Sequence, residues 1–211
     1  MEIQRFANAG VLLRLDGVSI LLDGLCDRIE PYMETPADMA QEIINNPPDL
    51  LAFTHGHSDH YSEALVSEYR KQNLRPILGP ESLPYGTDHS AMRIGDVKII
   101  PIPSRHLGKT DPNLQHMSYL IEGSRRIFFA GDAAPQQWKG REMPLDVLIA
   151  PYAYANTAST WQWSKNTAKS VVLVHLPEKS NDPAGLWEQV TKATGLPECL
   201  QIPDLGENVT L

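Results

Sequence analysis

An α/β fold of sheets packed together with helices outside is predicted by two features of this chain. Short strand-like runs arrive in hairpin-like groups with helical segments between them, and several of the apolar runs end in residues that bind metals. The elements follow in order. Glu2–Phe6, Gly10–Leu15 and Val18–Asp23 read as strands, the last two joined by the hairpin signal Asp16-Gly17. Thr35-Pro36 reads as a cap followed by proline at the first helical position, opening a helix that Asn46-Pro47-Pro48 stops. Asp49–Phe53 is a short buried strand, and a helix spans Ser62 to Lys71 with Leu65 and Tyr69 on one face. Further strands are expected at Pro76–Leu78, Ala91–Ile94, Val97–Ile102, Met117–Glu122, Arg126–Ala130, Val147–Ala150 and Val171–Val174. A helix is expected over Thr160–Ala168, with Trp161 and Trp163 in core packing or a pocket wall. A last helix starts at Asp182-Pro183 and ends at Gly195. One domain over residues 1–211 is the simplest reading.

Composition narrows the classes. Of the 211 residues, 42% are hydrophobic and 21% charged, ordinary for a soluble globular protein. A net charge of −8 argues against nucleic acid, whose phosphates need clustered Lys and Arg. The two cysteines, Cys26 and Cys199, lack the spacing of a thiolate site and read as small buried hydrophobes. Arg5, Arg14 and Asp16 interrupt any signal-peptide core, and no run approaches the ~20 apolar residues of a membrane span. The cytoplasm is therefore the expected address, with no membrane partner.

The chemistry is concentrated in Thr54-His55-Gly56-His57-Ser58-Asp59-His60, which follows the apolar Leu50-Leu51-Ala52-Phe53. Imidazoles and carboxylates are ligands for zinc and its neighbours, and packing has no use for three imidazoles in one short polar run. The same arrangement recurs downstream. His106 follows the strand at Ile99–Ile102, Asp132 follows Ile127-Phe128-Phe129-Ala130, and His175 follows Val171-Val172-Leu173-Val174. Taken alone, His106 reads as a surface imidazole, Asp132 as a turn residue and His175 as a core histidine. Strand ends gathered at one sheet edge would bring all of them together while the core stays apolar. Asp23, also at a strand end, is placed to accept from a ligating imidazole N–H. Of the remaining histidines, His89 and His116, the latter just precedes a strand and could lie near the site or serve a structural role.

With these motifs the chain resembles the metallo-β-lactamase fold superfamily over nearly its whole length. The resemblance implies a four-layer αββα sandwich of two mixed sheets flanked by helices, with a two-metal site at one edge. Position by position, it implies His55, His57 and His106 on a first metal, Asp59, His60 and His175 on a second, and Asp132 bridging them. Two divalent ions, Zn2+ first and Mn2+ or Fe next, would then hold a bridging hydroxide that Asp59 orients and deprotonates. The implied activity is hydrolysis of a small cytoplasmic ester, lactone or phosphodiester.

Within the superfamily the chain looks most like the compact branch that includes ascorbate-6-phosphate lactonase-like proteins. It departs from that branch in having Asn8-Ala9-Gly10 where Gly-His-Ser or Gly-His-Ala is frequent. Tyr61, Arg105, Tyr152, Tyr154 and Asn156, in ligand loops or nearby, are candidates to reach a small-molecule substrate, and Arg105 or Lys109 could meet a phosphate or carboxylate. Two other functions stay open. A mononuclear iron persulfide dioxygenase would leave His60 and His175 uncommitted, and a non-enzymatic scaffold would be expected to lose ligands. Oligomeric state, substrate and metal identity are not legible.

Overall fold

The computed structural model describes residues 1–84, 90–108, 113–138 and 143–211; His89 and Lys109 lie outside them. In the first sheet, β1 (Glu2–Arg5), β2 (Val11–Leu15) and β3 (Val18–Leu22) form an antiparallel meander. β4 (Leu50–Ala52) and β5 (Ile77–Leu78) add to β3 in parallel, and β13 (Asn208–Thr210) pairs antiparallel with β1 on the other side. In the second sheet, β6 (Met92–Ile94), β7 (Val97–Ser104), β8 (His116–Glu122) and β9 (Arg126–Phe129) run antiparallel. β10 (Leu145–Pro151), β11 (Ala168–Val174) and β12 (Leu200–Gln201) continue it in parallel.

Side chains alternate across each strand, and this alternation builds the layers. Val11, Leu13, Ile20 and Leu22 meet Ile99, Tyr119, Ile127, Phe129, Val147 and Val172 in a core between the two sheets. Leu12, Leu21, Leu51 and Phe53 point the other way, against α1 (Ala37–Asn45) and α2 (Glu63–Gln72). Phe128, Leu148, Val171 and Leu173 face α3 (Ala158–Thr167) and α4 (Leu186–Thr194). The result is the expected αββα sandwich of two mixed sheets. Val147–Ala150 in β10 and Val171–Val174 in β11 read as unbroken apolar runs because both faces of these stretches are covered.

Two cap expectations need correction. Thr35 does not cap α1; its hydroxyl donates to Gly24 O (2.9 Å) and accepts from Cys26 N (2.9 Å), and Pro36 stands at the N-cap without a side-chain bond. Asp182 does cap α4, but from farther upstream, accepting from Leu186 N and Trp187 N at 2.9 Å each, because Gly185 turns the chain first. The short strands β12 and β13 were not foreseen.

Strand direction positions the site. β1, β3, β4, β7, β9, β10 and β11 all end at one edge of the sandwich, and β8 begins there. Hydrogen bonds tie the sheets together at that edge, among them Met117 N to Thr54 O (2.8 Å) and Tyr119 Oη to Phe53 O (2.6 Å).

Candidate metal centre

The loops leaving these strand ends bring together all seven side chains expected as ligands. Ligand atoms of His55, His57 and His106 fall within 4.8 Å of one another, as do those of Asp59, His60 and His175, and those of His55, His60 and Asp132. Asp132 Oδ2 lies 3.4 Å from His175 Nε2, 3.5 Å from His60 Nε2 and 3.6 Å from His106 Nε2, so it faces both triads. Asp132 reaches this point because Gly131 turns at φ +53°, where a Cβ would come 2.5 Å from Thr54 Cγ2. Most of the cluster is buried, and His57 is the half-buried exception.

A layer of hydrogen bonds orients the rings. Asp23 is buried and accepts from Thr54 N (2.7 Å), Thr54 Oγ1 (2.6 Å) and His60 Nδ1 (2.9 Å), which leaves His60 Nε2 aimed into the cluster. His106 Nδ1 donates to Leu107 O (2.6 Å). His116, expected near the site or in a structural role, accepts from Asp132 N at Nε2 (3.1 Å), so its proton sits on Nδ1 toward Ser104 Oγ (2.7 Å). Ser104 contacts Ser118 Oγ (3.0 Å), whose hydroxyl donates to Ala130 O (2.8 Å). His116 thus supports the Asp132 turn from behind, and burial pushes its pKa down to about 3.

The imidazoles and carboxylates of the cluster shift one another's titration. Burial, followed by the neighbouring imidazoles, holds His55 and His57 below the ordinary histidine range. Burial acts the same way on His60 and His175, but the Asp132 charge and further carboxylate contacts outweigh it; His60 rises well above that range and His175 to about 9. Burial would also raise Asp132, yet the charges of His175 and His60 hold it well below the carboxylate range. Without metal, protons on imidazoles must balance the carboxylates. His106 Nε2 and Asp132 Oδ1 are buried without a hydrogen-bond partner, and His60 Nε2 and His175 Nε2 face only the carboxylates of Asp59 and Asp132, at 3.2–3.8 Å. Such groups are costly unless something binds them, and metal ions fit this donor set.

The remaining candidates separate clearly. Tyr61 was expected to reach substrate but packs edge-on against Phe53 (5.0 Å) with its hydroxyl on Pro84 O (3.3 Å). Tyr154 is also a core residue; its hydroxyl accepts from Trp138 Nε1 (3.1 Å) and donates to Ala133 O (2.9 Å). Both are corrections: a tyrosine in a short loop between covered layers turns inward. Arg105 is exposed, and its backbone N and O bond to the Gln137 amide. Asn156 is exposed, Trp161 is buried, and Trp163 is half-buried beside a surface groove. Tyr32, missed entirely, sets its ring edge-on to His175 (4.4 Å), and its hydroxyl lies 3.5 Å from that of the half-buried Tyr152. No sequence pattern marked Tyr32, since it comes from the long segment between β3 and α1.

A two-sheet sandwich with a histidine–aspartate cluster at one edge defines a class of metal-centred proteins. The chain belongs to the β-lactamase superfamily: the family described as "Beta-lactamase superfamily domain" matches residues 2–178. Among its relatives, a UPF0173 protein of Pyrococcus abyssi is 25% identical over 173 residues, covering 75% of this chain and 73% of its own length. A UPF0173 metal-dependent hydrolase of Pyrobaculum aerophilum is 24% identical over 172 residues, covering 72% and 71%. Among solved structures, a possible metal-dependent hydrolase from Veillonella parvula superposes with a TM-score of 0.72 at 13% identity, covering 100% of this chain and 99% of that one. At that identity the likeness speaks to the fold.

Proposed function

We propose that the chain is a metal-dependent hydrolase with a two-metal site that cleaves a small ester, lactone or phosphodiester. One observation carries this reading: two triads of ligand atoms, buried except for the half-buried His57, with a shared aspartate between them and two of the atoms making no hydrogen bond. The relative from Pyrobaculum aerophilum, named a metal-dependent hydrolase, agrees with it. His55, His57 and His106 would hold one ion, Asp59, His60 and His175 the second, and Asp132 both. When bound, the ions supply a water of lowered pKa and a Lewis acid for the substrate oxygen. Zinc suits the donors best, with manganese or iron as alternatives.

The chain's own residues do the rest. Asp59 takes the proton of the attacking water on its carboxylate. Asp23 and His116 keep His60 and the Asp132 turn in place. Tyr32 and Tyr152, whose hydroxyls meet above His175, are the candidates to contact substrate in place of Tyr61 and Tyr154. The dioxygenase alternative needs His60 and His175 uncommitted, and both lie in the second triad. A panel of nitrophenyl esters, lactones and bis-nitrophenyl phosphate should show turnover that a chelator removes and zinc or manganese restores. Turnover that persists after complete metal removal would overturn the proposal.

A further inference from the structure

We propose that Asn8 is the positioning residue of the second triad, tying Asp59 and His175 to the turn between β1 and β2; this rests on the two-metal reading above. Asn8 is fully buried. Its Nδ2 donates to Asp59 Oδ2 (3.2 Å) and, more weakly, to Asp59 O (3.4 Å), while its backbone carbonyl accepts from His175 N (3.1 Å). One residue therefore holds two ligands that lie far apart in sequence. Among the described residues, no hydrogen bond runs from Asn8 to His55, His57 or His106.

The turn that carries Asn8 is closed by hydrogen bonds and packed tightly. Gly10 O accepts from Phe6 N (2.8 Å) and Ala7 N (3.3 Å), and a Cβ on Gly10 would come 2.5 Å from Asp23 O. Only glycine lets this turn press against the strand end that orients His60. The receiving end needs such an anchor. His175 sits at φ +64°, a left-handed conformation that a side chain rarely adopts unless its surroundings impose it. Its N–H is fixed by Asn8 O, and the buried Arg5 guanidinium donates to the next carbonyl, Leu176 O.

The Asn8 side chain has a specific orientation. A carboxylate only accepts, so the amide nitrogen must face Asp59, and Asn8 Oδ1 is left buried without a partner. A residue that served packing alone would avoid that orphan. Without Nδ2 the Asp59 carboxylate is free to rotate away from His175 Nε2, now 3.2 Å from Oδ2. The first triad has no such dependence.

The test titrates zinc alone into metal-free wild type, Asn8→Ala and Asn8→Leu, against a competing chromophoric chelator. The leucine keeps the branched shape without a donor, should the alanine leave a disruptive cavity. Wild type should bind two equivalents. Both variants should keep the first within about twofold and weaken the second by about 10–100-fold, as expected for an outer partner of a ligand. Retention of the first equivalent also reports an intact fold. Two equivalents at wild-type affinity in the variants, or equal weakening of both, would overturn the role of Asn8. A wild type that binds no more than one equivalent would instead remove the two-metal reading beneath it.

Discussion

The two triads are built in opposite ways. His55 and His57 come from one short loop, their ring nitrogens 2.9 Å apart, and His106 is fixed by the carbonyl of its own neighbour, Leu107. His57 is half-buried. Asp59, His60 and His175 are buried and are fixed from a distance, by Asp23 after β3 and Asn8 after β1. The first triad is oriented by its sequence neighbours, with His55 and His106 buried and His57 half-buried. The second is woven into the fold, so its side chains also carry stability. Positive φ at both Asp23 (+48°) and His175 (+64°) fits that difference, since about 1–2 kcal/mol of backbone strain at each has to be met by surrounding contacts.

Asp132 stands between the triads, and its removal should have the largest effect. Asp132→Ala is expected to lower hydrolysis by about 10³-fold or more, roughly 4 kcal/mol of lost transition-state stabilisation, in steady-state kinetics. Full activity in that variant would mean that the triads work independently. The next contrast separates the triads themselves. His60→Ala leaves the buried Asp23 without its charged partner and should lower metal-free stability by about 3–5 kcal/mol in urea unfolding. His57→Ala should change it by no more than about 0.5 kcal/mol, as for other substitutions near a surface. Equal losses would contradict the structural difference between the triads.

The legibility of the chain follows the same line. The run from His55 to His60 announces itself because a local cluster of ligands leaves a local pattern. Strands such as Val18–Leu22 and Val171–Val174 are equally plain, since both are short apolar runs bounded by turns or ligands. Asp23 was readable as an outer acceptor from its place at a strand end. Asn8 and Tyr32 are not, because their roles depend on contacts between residues far apart in sequence, 51 positions for Asn8 and Asp59, and His116 is legible only as a residue near the site or in a structural role. Tyr61 and Tyr154 misled for the converse reason: loop position suggested exposure, whereas the covering layers bury both. The strands Leu200–Gln201 and Asn208–Thr210 are too short to carry a period, and tertiary pairing creates them.

A smaller effect sharpens the comparison further. Metal at a hundred times its Kd should add about 2.7 kcal/mol to stability and raise Tm by roughly 5–10 °C. Each equivalent adds its own increment, and the second, which replaces protons on buried His60 and His175, should raise Tm beyond the first. A Tm that stops rising after the first equivalent, or does not rise at all, would contradict a second ion held by Asp59, His60 and His175.

Metal content is the most direct test of the central claim. The protein, purified without chelators or added metal and then loaded with zinc and desalted, would be weighed intact by native mass spectrometry. Two bound ions per chain are predicted, falling to one in His57→Ala. A single ion that survives the loss of His57, or no bound ion at all, would contradict a two-metal centre built from these triads.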